Sequence, residues 1–432
     1  MQKIHVQGGQ KLAGKIPISG AKNSALKLLC ATLLTEETVT LRNIPELADI
    51  VTLSTLLAAL GTRIELDGDA SAARTVGRVV RYQTKDIQDP RAPYDLVRKM
   101  RASIGVLGPL LGRCHKAVVS LPGGCAIGAR PVDLHIMAMQ QLGAKVEIEN
   151  GYIVAEAPGG LKGGSIIFPK VTVMGTENAL MAATLAKGET VISNAAREPE
   201  VKDLGEMLID MGAKIKGLGT DTLHIEGVEK LHGADHEVLC DRIETGTYAV
   251  ASAITGGDLH LIGGQRKLLN AALTKMEEAG VIIEETDEGL RIKGPEQLQP
   301  IDVMTEPFPG FATDLQAQVM VMMTQANGAS MMTETIFENR FMHVPELNRM
   351  GANIVVHGRS AMVRGGQTLH GAPVMATDLR ASVSLILAGL VAEGKTTVNR
   401  IYHLDRGYER IEEKLSAVGA NIKRFHAPEE NY

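Results

Sequence analysis

Six copies of one short pattern are spread along this chain of 432 residues. Each copy has an apolar residue, a glycine and a small or β-branched residue that leads into a strand-like run, as in LGAKVEI at 142 and MGANIVV at 350. The six glycines lie about 70 residues apart, and they are Gly61, Gly143, Gly212, Gly280, Gly351 and Gly419. Regular self-similarity of this kind indicates a fold built from repeated supersecondary units.

The residues before each glycine predict a helix that the glycine ends. Amphipathic runs such as DLHIMAMQQLG and RIEEKLSAVG fit a helix with a glycine C-cap, followed by a half-buried strand. Most units also carry an almost entirely apolar segment, such as SALKLLCATLL or SVSLILAGLVA, which is typical of a buried helix. We therefore predict an α/β fold of two similar domains. Each would be an inside-out α/β barrel of three repeats, with buried helices surrounded by short sheets.

The repeat argues against a nucleotide-binding interpretation of one motif. GLVAEGKT, residues 389–396, matches the phosphate-binding loop pattern GxxxxGK[ST], which requires a strand before it and a helix after it. The repeat instead places a buried helix before the motif and the strand-like TTVNRIY after it. We interpret Gly394 as a helix cap.

Composition excludes several classes of protein. Lys and Arg number 45 against 50 Asp and Glu, there is no Trp and no basic block, so nucleic-acid binding is not expected. The N-terminus lacks a signal-peptide core, and apolar runs fall short of the roughly 18 residues that a membrane span needs. The four cysteines contain no CxxC pair. We expect a cytoplasmic protein with no membrane span, no metal and no cofactor.

Charged residues stand at equivalent points of several repeats. Asp314 in FATDLQAQ and Asp378 in MATDLRAS precede buried helices, where each could act as an N-cap or belong to a site. Helix N-termini attract anions, and basic residues beside them strengthen that attraction. Such basic residues are Lys22, Arg101, Arg130, Arg340, Arg380 and Arg406. Each arginine alone is explained by a surface salt bridge, but together they indicate a site for a small, highly charged anion.

Cys125 lies in the glycine-rich segment LPGGCAIGARPVD, residues 121–133. An isolated cysteine is often a small buried apolar residue, as we expect for Cys30 in LKLLCATLL. The glycines around Cys125 predict exposure, and the nearby Arg130 would lower the thiol pKa, which favours a chemical role. His232 and His236 could form a metal-binding face, but no third ligand is evident, so we expect surface histidines.

The chain resembles the UDP-N-acetylglucosamine 1-carboxyvinyltransferases, the enolpyruvyl transferases that open bacterial peptidoglycan synthesis. The resemblance covers essentially the whole chain. It rests on SGAKN, APYDLVRKMRAS, LPGGCAIGARPVDLHI, NAAREPEVKDL, DRIETGTY, ETIFENRFMHVPEL, ATDLRAS and IYHLDRGYERIE. It implies one domain of residues 22–239 that carries the Cys125 loop, a second domain of residues 1–21 and 240–432, and an active site in the cleft between them.

The resemblance also implies the reaction. The enolpyruvyl group of phosphoenolpyruvate passes to the 3′-hydroxyl of UDP-N-acetylglucosamine, and phosphate is released by addition and elimination through a tetrahedral intermediate. Asp314 would take the proton of the sugar hydroxyl, and Cys125 would deliver a proton to the vinyl carbon or help product release. In this family the thiol is the target of the epoxide antibiotic fosfomycin. Lys22 and Arg406 complete the catalytic set.

The resemblance assigns the remaining contacts by motif. Phosphoenolpyruvate would be held by Lys22, Asn23, Arg130, Arg380 and Arg406. The nucleotide sugar would be held by Asn23, Arg101, Arg130, Pro131, Val132, Asp133, Leu134, Lys170, Val171, Thr172, Val173, Asp314 and Ile336. Arg340 and Asp378 would support the site.

Two other readings remain open. A sister transferase with the same repeats adds enolpyruvate to shikimate 3-phosphate, although GGCAIGARP and ATDLRAS favour the sugar-nucleotide branch. A catalytically inactive paralogue could bind the nucleotide sugar as a regulator, but Lys22, Cys125, Asp314 and Arg406 are all present. Phosphate release would distinguish an enzyme from a binding protein.

Overall fold

A computed structural model describes residues 2–67, 77–122 and 132–426. These residues fall into two compact units. The first unit comprises residues 19–67, 77–122 and 132–239, and the second comprises residues 2–18 and 240–426.

The elements of the described chain are numbered in chain order. The strands are β1 (Gln2–Gln7), β2 (Ala13–Pro17), β3 (Val39–Ile44), β4 (Arg63–Asp67), β5 (Arg78–Gln83), β6 (Arg91–Ala92), β7 (Lys116–Ser120), β8 (Lys145–Glu149), β9 (Tyr152–Glu156), β10 (Ser165–Ile167), β11 (Glu189–Ser193), β12 (Lys214–Lys216), β13 (Thr222–Glu226), β14 (Asp235–Glu237), β15 (Asp258–Ile262), β16 (Ile282–Thr286), β17 (Gly289–Lys293), β18 (Val303–Met304), β19 (Ala329–Thr333), β20 (Asn353–His357), β21 (Ser360–Arg364), β22 (Pro373–Met375), β23 (Lys395–Asn399) and β24 (Asn421–His426). The α-helices are α1 (Lys22–Ala31), α2 (Ala48–Ala59), α3 (Tyr94–Val97), α4 (Leu107–Cys114), α5 (Asp133–Gln141), α6 (Val173–Ala183), α7 (Pro199–Asp210), α8 (Arg242–Thr255), α9 (Asn270–Glu278), α10 (Gln316–Thr324), α11 (Val344–Arg349), α12 (Leu379–Val391) and α13 (Ile411–Ala417). Short 3-10 helices span Thr32–Leu34, Arg101–Val106, Arg266–Leu268, Thr313–Leu315 and Ile401–Arg406.

The strands of the described chain form six four-stranded sheets of one topology, which confirms the six repeats. Each sheet has one parallel pair at an edge and antiparallel pairing for its other neighbours. The first unit contains the sheets β14-β3-β5-β4, β6-β7-β9-β8 and β10-β11-β13-β12. The second unit contains β16-β17-β15-β2, β18-β19-β21-β20 and β22-β23-β1-β24, so the N-terminal strand pairs with strands of the last repeat.

Apolar helices lie in the interior of each unit, as the sequence predicts. The first unit buries α1, α4 and α6, and the second buries α8, α10 and α12. In α8 every residue from Arg242 to Ala253 is buried. Each unit has its own apolar core, formed by these helices and the inward-facing strand residues. Among the described helices, none is both long and apolar enough to cross a membrane.

The six repeat glycines end helices, as predicted. Each follows the residue that closes a helix, and their φ angles range from +84° at Gly143 to +103° at Gly419. Glycine adopts this left-handed backbone readily, whereas residues with a Cβ atom do so at a cost. The glycine therefore allows the chain to turn from the helix into the following strand.

The segment that resembles a phosphate-binding loop has the reverse order of elements. Helix α12 precedes it and strand β23 follows it, so the nucleotide-binding reading is excluded for this motif. The interpretation of Gly394 as a helix cap is wrong. The helix ends at Val391 and its C-cap is Ala392, which is extended with φ −74° and ψ 142°. Gly394 lies in the turn before β23 with φ +85°.

Candidate active site

Asp314 lies between two arginine side chains in the second unit. It is the middle residue of the 3-10 helix Thr313–Leu315, directly before the buried α10. Arg340 Nη2 donates to Asp314 Oδ1 and Arg380 Nη2 donates to Oδ2, each at 2.6 Å. Both arginine side chains are buried, whereas 23 % of the Asp314 side chain is exposed. Two buried cations therefore converge on one partly accessible carboxylate.

This arrangement decides whether Asp314 is a helix cap and whether the two arginines form surface salt bridges. Asp314 is not an N-cap, because no side chain caps either the 3-10 helix or α10. Arg340 and Arg380 are not surface salt bridges, because both are only 6 % exposed. Surface pairing was the simpler expectation for each arginine taken alone, but tertiary packing brings both against Asp314.

The two guanidinium groups fix the ionisation of Asp314. Burial raises the pKa of this carboxyl group, but the charges and hydrogen bonds of Arg380 and Arg340 outweigh that effect. The pKa of Asp314 is therefore held well below its usual range. With both partners in place Asp314 is a carboxylate with little tendency to accept a proton.

Arg380 has further partners that hold its side chain and backbone. Its Nη1 donates to Tyr408 Oη at 3.1 Å, and the guanidinium group lies 5.6 Å from the centre of the Tyr408 ring. The backbone amides of Arg380 and Ala381 donate to Asp378 Oδ1. Asp378 is therefore the N-cap of α12, which confirms the capping interpretation for this residue.

A buried polar network holds the backbone of Asp314, and the sequence analysis did not predict it. Gln318 Nε2 donates to the Asp314 carbonyl oxygen at 2.8 Å and also contacts Thr247 Oγ1 and Tyr408 Oη. Tyr408 Oη and Thr247 Oγ1 lie 2.9 Å apart. Thr247 belongs to α8 and Gln318 to α10, so the network links two buried helices to the segment after Arg406.

Glu334 is a second supporting residue that the sequence analysis missed. It is only 1 % exposed and follows strand β19. Its carboxylate accepts hydrogen bonds from the hydroxyl groups of Thr305 and Thr313 and from the backbone amides of Ile336 and Phe337. Glu334 therefore fixes the loop that carries Ile336, a predicted nucleotide-sugar contact, next to the turn that carries Asp314.

Arg406 is the last residue of the 3-10 helix Ile401–Arg406 and is partly buried. Its neighbour Asp405 accepts hydrogen bonds from Arg424, with Nη2 2.6 Å from Oδ1. Arg424 also donates from Nε to Glu412 at 2.5 Å, so this helix is tied to β24 and α13. Arg406 precedes Tyr408 by two residues, which places it in the segment that contacts Arg380.

In the first unit, Lys22 and Asn23 are the first two residues of the buried helix α1. Lys22 Nζ lies 2.9 Å from Asp49 Oδ2, and the two side chains are 12 % and 5 % exposed. The N-cap position, Ala21, supplies no side-chain hydrogen bond to the helix. The start of α1 therefore combines a lysine, an amide side chain and helix N–H groups that no side chain caps.

The other predicted contacts in the first unit lie at the beginnings of helices. Arg101 opens the 3-10 helix Arg101–Val106, and Val132, Asp133 and Leu134 stand at the start of α5. Lys170, Val171, Thr172 and Val173 lead into α6, and the Thr172 hydroxyl caps that helix by accepting from Gly175 N. Cys125, Arg130 and Pro131 lie outside the described residues.

His236 differs from its prediction as a surface histidine. It is a strand residue in β14, only 9 % exposed, and its Nε2 donates to Asp203 Oδ1 at 3.0 Å. Asp203 also accepts a hydrogen bond from the Ser24 hydroxyl, one residue after Asn23. Burial lowers the pKa of His236, but Asp203 and Asp210 raise it more, so it lies above its ordinary value. His232 is exposed, as predicted.

The described residues show no metal-binding cluster, and the buried thiol of Cys30 is unreactive. Within residues 2–67, 77–122 and 132–426, no group of three or more His, Cys, Asp or Glu side chains could hold a metal ion. Cys30 is fully buried, as predicted, and burial raises the pKa of its thiol to about 12. This thiol is therefore not a reactive group.

Comparison with protein families gives one match over nearly the whole chain. Residues 6–415 match the family described as EPSP synthase (3-phosphoshikimate 1-carboxyvinyltransferase). The UDP-N-acetylglucosamine 1-carboxyvinyltransferase of Paramagnetospirillum magneticum is 61% identical over 426 residues, which are 98% of this chain and 99% of that protein. The protein of the same name from Rhodospirillum centenum is 60% identical over 427 residues, 98% of this chain and 99% of that one.

Solved structures share the fold at much lower identity. The enolpyruvyl transferase NikO from Streptomyces tendae matches with a TM-score of 0.84 at 24% identity, over 99% of each chain. EPSP synthase from Acinetobacter baumannii matches with a TM-score of 0.75 at 18% identity, over 99% of this chain and 100% of that one. These two likenesses confirm the predicted fold class.

Proposed function

Because this chain belongs to the family of the UDP-N-acetylglucosamine 1-carboxyvinyltransferases, we propose that it transfers the enolpyruvyl group of phosphoenolpyruvate to the 3′-hydroxyl of UDP-N-acetylglucosamine and releases phosphate. It is an enzyme, and its reaction is the first committed step of peptidoglycan synthesis. The two substrates are small anionic molecules.

The observation that carries this proposal is the position of Asp314 between Arg340 and Arg380. Arginine side chains bind phosphate and carboxylate oxygens with the same geometry. Here the anion between the two guanidinium groups is a carboxylate of the protein itself, and a substrate anion would compete with it for Arg380. Arg340 and Arg380 are therefore already positioned to bind an anion. A substrate anion that bound Arg380 would free one oxygen of the Asp314 carboxylate.

We assign the binding of phosphoenolpyruvate to Lys22, Asn23, Arg130, Arg380 and Arg406. When Arg380 turns to the substrate, Asp314 loses a positive neighbour, and its pKa rises towards the ordinary value of a carboxyl group. Asp314 then becomes a better proton acceptor at the moment when both substrates are bound. Binding of phosphoenolpyruvate would therefore make Asp314 a stronger base.

In the addition step, the 3′-oxygen of the sugar bonds to C2 of phosphoenolpyruvate as Asp314 accepts the hydroxyl proton. Cys125 gives a proton to C3, so the double bond is replaced by a methyl group and a tetrahedral intermediate. In the elimination step the Cys125 thiolate takes a proton back from the methyl group, the C2–C3 double bond reforms, and the bond from C2 to the phosphate oxygen breaks. The proton that Asp314 accepted leaves with the phosphate, so both side chains return to their starting states. Lys22 and Arg406 stabilise the charge on the departing phosphate.

We assign nucleotide-sugar binding mainly to residues at helix beginnings of the first unit, namely Asn23, Arg101, Val132, Asp133, Leu134, Lys170, Val171, Thr172 and Val173. The resemblance adds Arg130 and Pro131, which lie outside the described residues. Ile336 and Asp314 would contact the sugar from the second unit. Arg340 and Asp378 support the site by holding Asp314 and the start of α12. The supporting contacts are the Arg340–Asp314 pair and the Asp378 cap.

We further propose that residues 22–239 act as one domain and residues 1–21 with 240–432 as the other. Phosphoenolpyruvate and nucleotide sugars are phosphorylated metabolites of the cell interior, so we place the enzyme in the cytoplasm. Phosphoenolpyruvate and UDP-N-acetylglucosamine are the partners that the reaction requires.

The test is phosphate release from phosphoenolpyruvate with either UDP-N-acetylglucosamine or shikimate 3-phosphate as acceptor. We expect release only with the nucleotide sugar. Release only with shikimate 3-phosphate would assign the chain to the sister reaction. Binding of the nucleotide sugar without phosphate release would indicate a regulator.

A further inference from the structure

Helices α1 and α6 of the first unit are joined by a buried ion pair. Lys27 Nζ lies 2.8 Å from Glu177 Oε2, and the two side chains are 7 % and 1 % exposed. Burying two charges costs free energy that their attraction only partly returns, so a buried ion pair is weak evidence for a gain in stability. The best attested use of such a pair is to fix how two elements are placed relative to each other.

The side-chain amide of the next residue, Asn178, makes hydrogen bonds to three other helical elements. Asn178 Oδ1 accepts from Gly108 N at 2.8 Å, while Nδ2 donates to Ile104 O and to His135 Nδ1, both at 2.9 Å. Asn178 is fully buried. If the amide group were flipped, its NH₂ would meet the Gly108 N–H and its oxygen would meet the Ile104 carbonyl oxygen. Neither contact is a hydrogen bond, so the amide has one orientation.

Helix α4 approaches Asn178 unusually closely. A Cβ atom added to Gly108 would lie 2.4 Å from the Asn178 carbonyl oxygen and 2.8 Å from Oδ1. Only glycine therefore allows this contact. The position of α4 against α6 depends on the absence of one methyl group.

The partners of Glu177 and Asn178 lie next to the proposed nucleotide-sugar segments. Lys27 follows Asn23 by four residues, about one helical turn and a rise of about 6 Å along α1. His135 directly follows Leu134, and Ile104 lies in the 3-10 helix that Arg101 opens. Glu177 itself follows Val173 by four residues in α6.

We propose that Glu177 and Asn178 form a positioning hub that sets the mutual placement of four nucleotide-sugar segments. These begin at Asn23, Arg101, Val132 and Lys170. The hub residues touch no substrate and act through the elements that they join. This inference rests on the proposed function, because the four segments are assigned to UDP-N-acetylglucosamine there.

The electrostatics of the hub agree with a role in placement. Burial raises the pKa of Glu177 to about 7, although Lys27 lowers it, and the nearby Glu200 and Glu198 raise it further. Glu177 therefore lies near two further buried carboxyl groups as well as the Lys27 ammonium group. A site selected for stability alone would be better served by apolar side chains.

The test compares two variants with a matched control. Glu177→Gln keeps the side-chain shape and removes the charge, and Asn178→Leu removes the three hydrogen bonds at similar volume. The control is Thr184→Val at the far end of α6, where the fully buried hydroxyl donates to Met181 O at 2.7 Å. All three should lower the melting temperature, because each removes a buried polar contact.

Ligand affinity distinguishes an effect on the placement of the four segments from an effect on stability alone. We measure the Kd of UDP-N-acetylglucosamine by calorimetry without phosphoenolpyruvate, together with kcat and both KM values. We expect Kd and KM for the nucleotide sugar to rise about tenfold in Glu177→Gln and Asn178→Leu, because displaced segments no longer converge on the ligand. Thr184→Val should keep the wild-type Kd.

The outcomes distinguish this inference from the proposed function. Wild-type Kd values in both hub variants would overturn the hub and leave the proposed function intact. If Asn178→Leu does not fold, Glu177→Gln alone decides the matter, because it preserves shape. Failure of the wild-type chain to bind UDP-N-acetylglucosamine would overturn the proposed function and, with it, the ligand of the hub.

Discussion

Arg380 and Asp314 are 66 residues apart in the chain, and Arg380 Nη2 lies 2.6 Å from Asp314 Oδ2. Arg340 contacts the other carboxylate oxygen at the same distance. The pair connects the proposed base directly to a proposed substrate-binding cation. An anion that draws Arg380 away would therefore raise the pKa of Asp314, because the carboxyl group would lose one of its two positive neighbours.

Replacing Asp314 with Asn should lower kcat and spare phosphoenolpyruvate binding. The amide cannot accept the sugar hydroxyl proton, so we expect kcat to fall by about 10²–10⁴-fold. KM for phosphoenolpyruvate should not rise, because Arg340 and Arg380 lose the carboxylate that competes for them. Steady-state kinetics measure both quantities. An increased KM for phosphoenolpyruvate with an unchanged kcat would contradict the assignment.

Replacing Arg380 with Lys should affect phosphoenolpyruvate more than the same change at Arg340. A lysine cannot reproduce the two-pronged contact of a guanidinium group, so KM for phosphoenolpyruvate should rise by about 10–100-fold in Arg380→Lys. Arg340→Lys is the matched control, since it is equally buried and contacts the same carboxylate. Equal increases in both variants would show that Arg380 has no special contact with this substrate.

Cys125→Asp and Cys125→Ser should differ in activity. Asp can deliver a proton and Ser cannot do so readily, so we expect activity in the first variant and its loss in the second. We also expect fosfomycin to inhibit the wild type and not Cys125→Asp, because in the variant the epoxide would have no thiol to attack. Phosphate release with and without fosfomycin measures both properties. Equal activity of the two variants would exclude the acid role.

The buried Glu177 should make the chain less stable as pH rises. Its pKa is raised by burial from 4.5 to about 7. A raised carboxyl pKa gives stability that is complete below about pH 4.5 and is lost as pH rises through about 7. Between pH 5 and pH 8 the free energy of unfolding of the wild type should therefore fall by about 2 kcal/mol more than that of Glu177→Gln.

Urea unfolding of both proteins at the two pH values measures this difference. Parallel behaviour of the wild type and Glu177→Gln would mean that Glu177 does not titrate in this range. A smaller loss in the wild type than in the variant would reverse the sign and contradict the prediction.

Gly280→Ala should lower stability through the backbone alone. Gly280 has φ +94°, and the nearest neighbour of an added Cβ atom would be 3.7 Å away, so no clash arises. We expect a loss of about 1 kcal/mol. Gly280→Asn should cost less, because asparagine tolerates the left-handed region better than alanine. Thermal unfolding compares the two variants, and equal losses would point to a cause other than φ.

The repeat architecture could be predicted because its signals are local. A glycine after an amphipathic run and an apolar helix before it occur in segments of about 20 residues, and they recur six times. The same periodicity showed that the segment around Gly394 is not a phosphate-binding loop. It could not fix the last residue of α12, because helix ends depend on local backbone geometry that periodicity does not encode.

The site could be predicted only as a set of residues. Asp314, Arg340 and Arg380 come from three different segments, and no local pattern encodes their contacts. Gln318 and Glu334 were missed because a buried polar residue in an apolar helix or at a strand end has no distinguishing signal. Tyr408 was missed because it lies in the segment between a 3-10 helix and α13, where no periodic pattern predicts burial. His236 was misplaced for a related reason, since its partners Asp203 and Asp210 lie on a helix far from it in sequence.

The most direct test of the account is the identity of the product. The wild-type chain is incubated with phosphoenolpyruvate and UDP-N-acetylglucosamine, and the nucleotide sugar is analysed by mass spectrometry and carbon NMR. We predict an enolpyruvyl ether at the 3′-oxygen of the sugar, formed in equal amount with free phosphate. Unmodified nucleotide sugar, with or without phosphate release, would contradict the proposed group transfer.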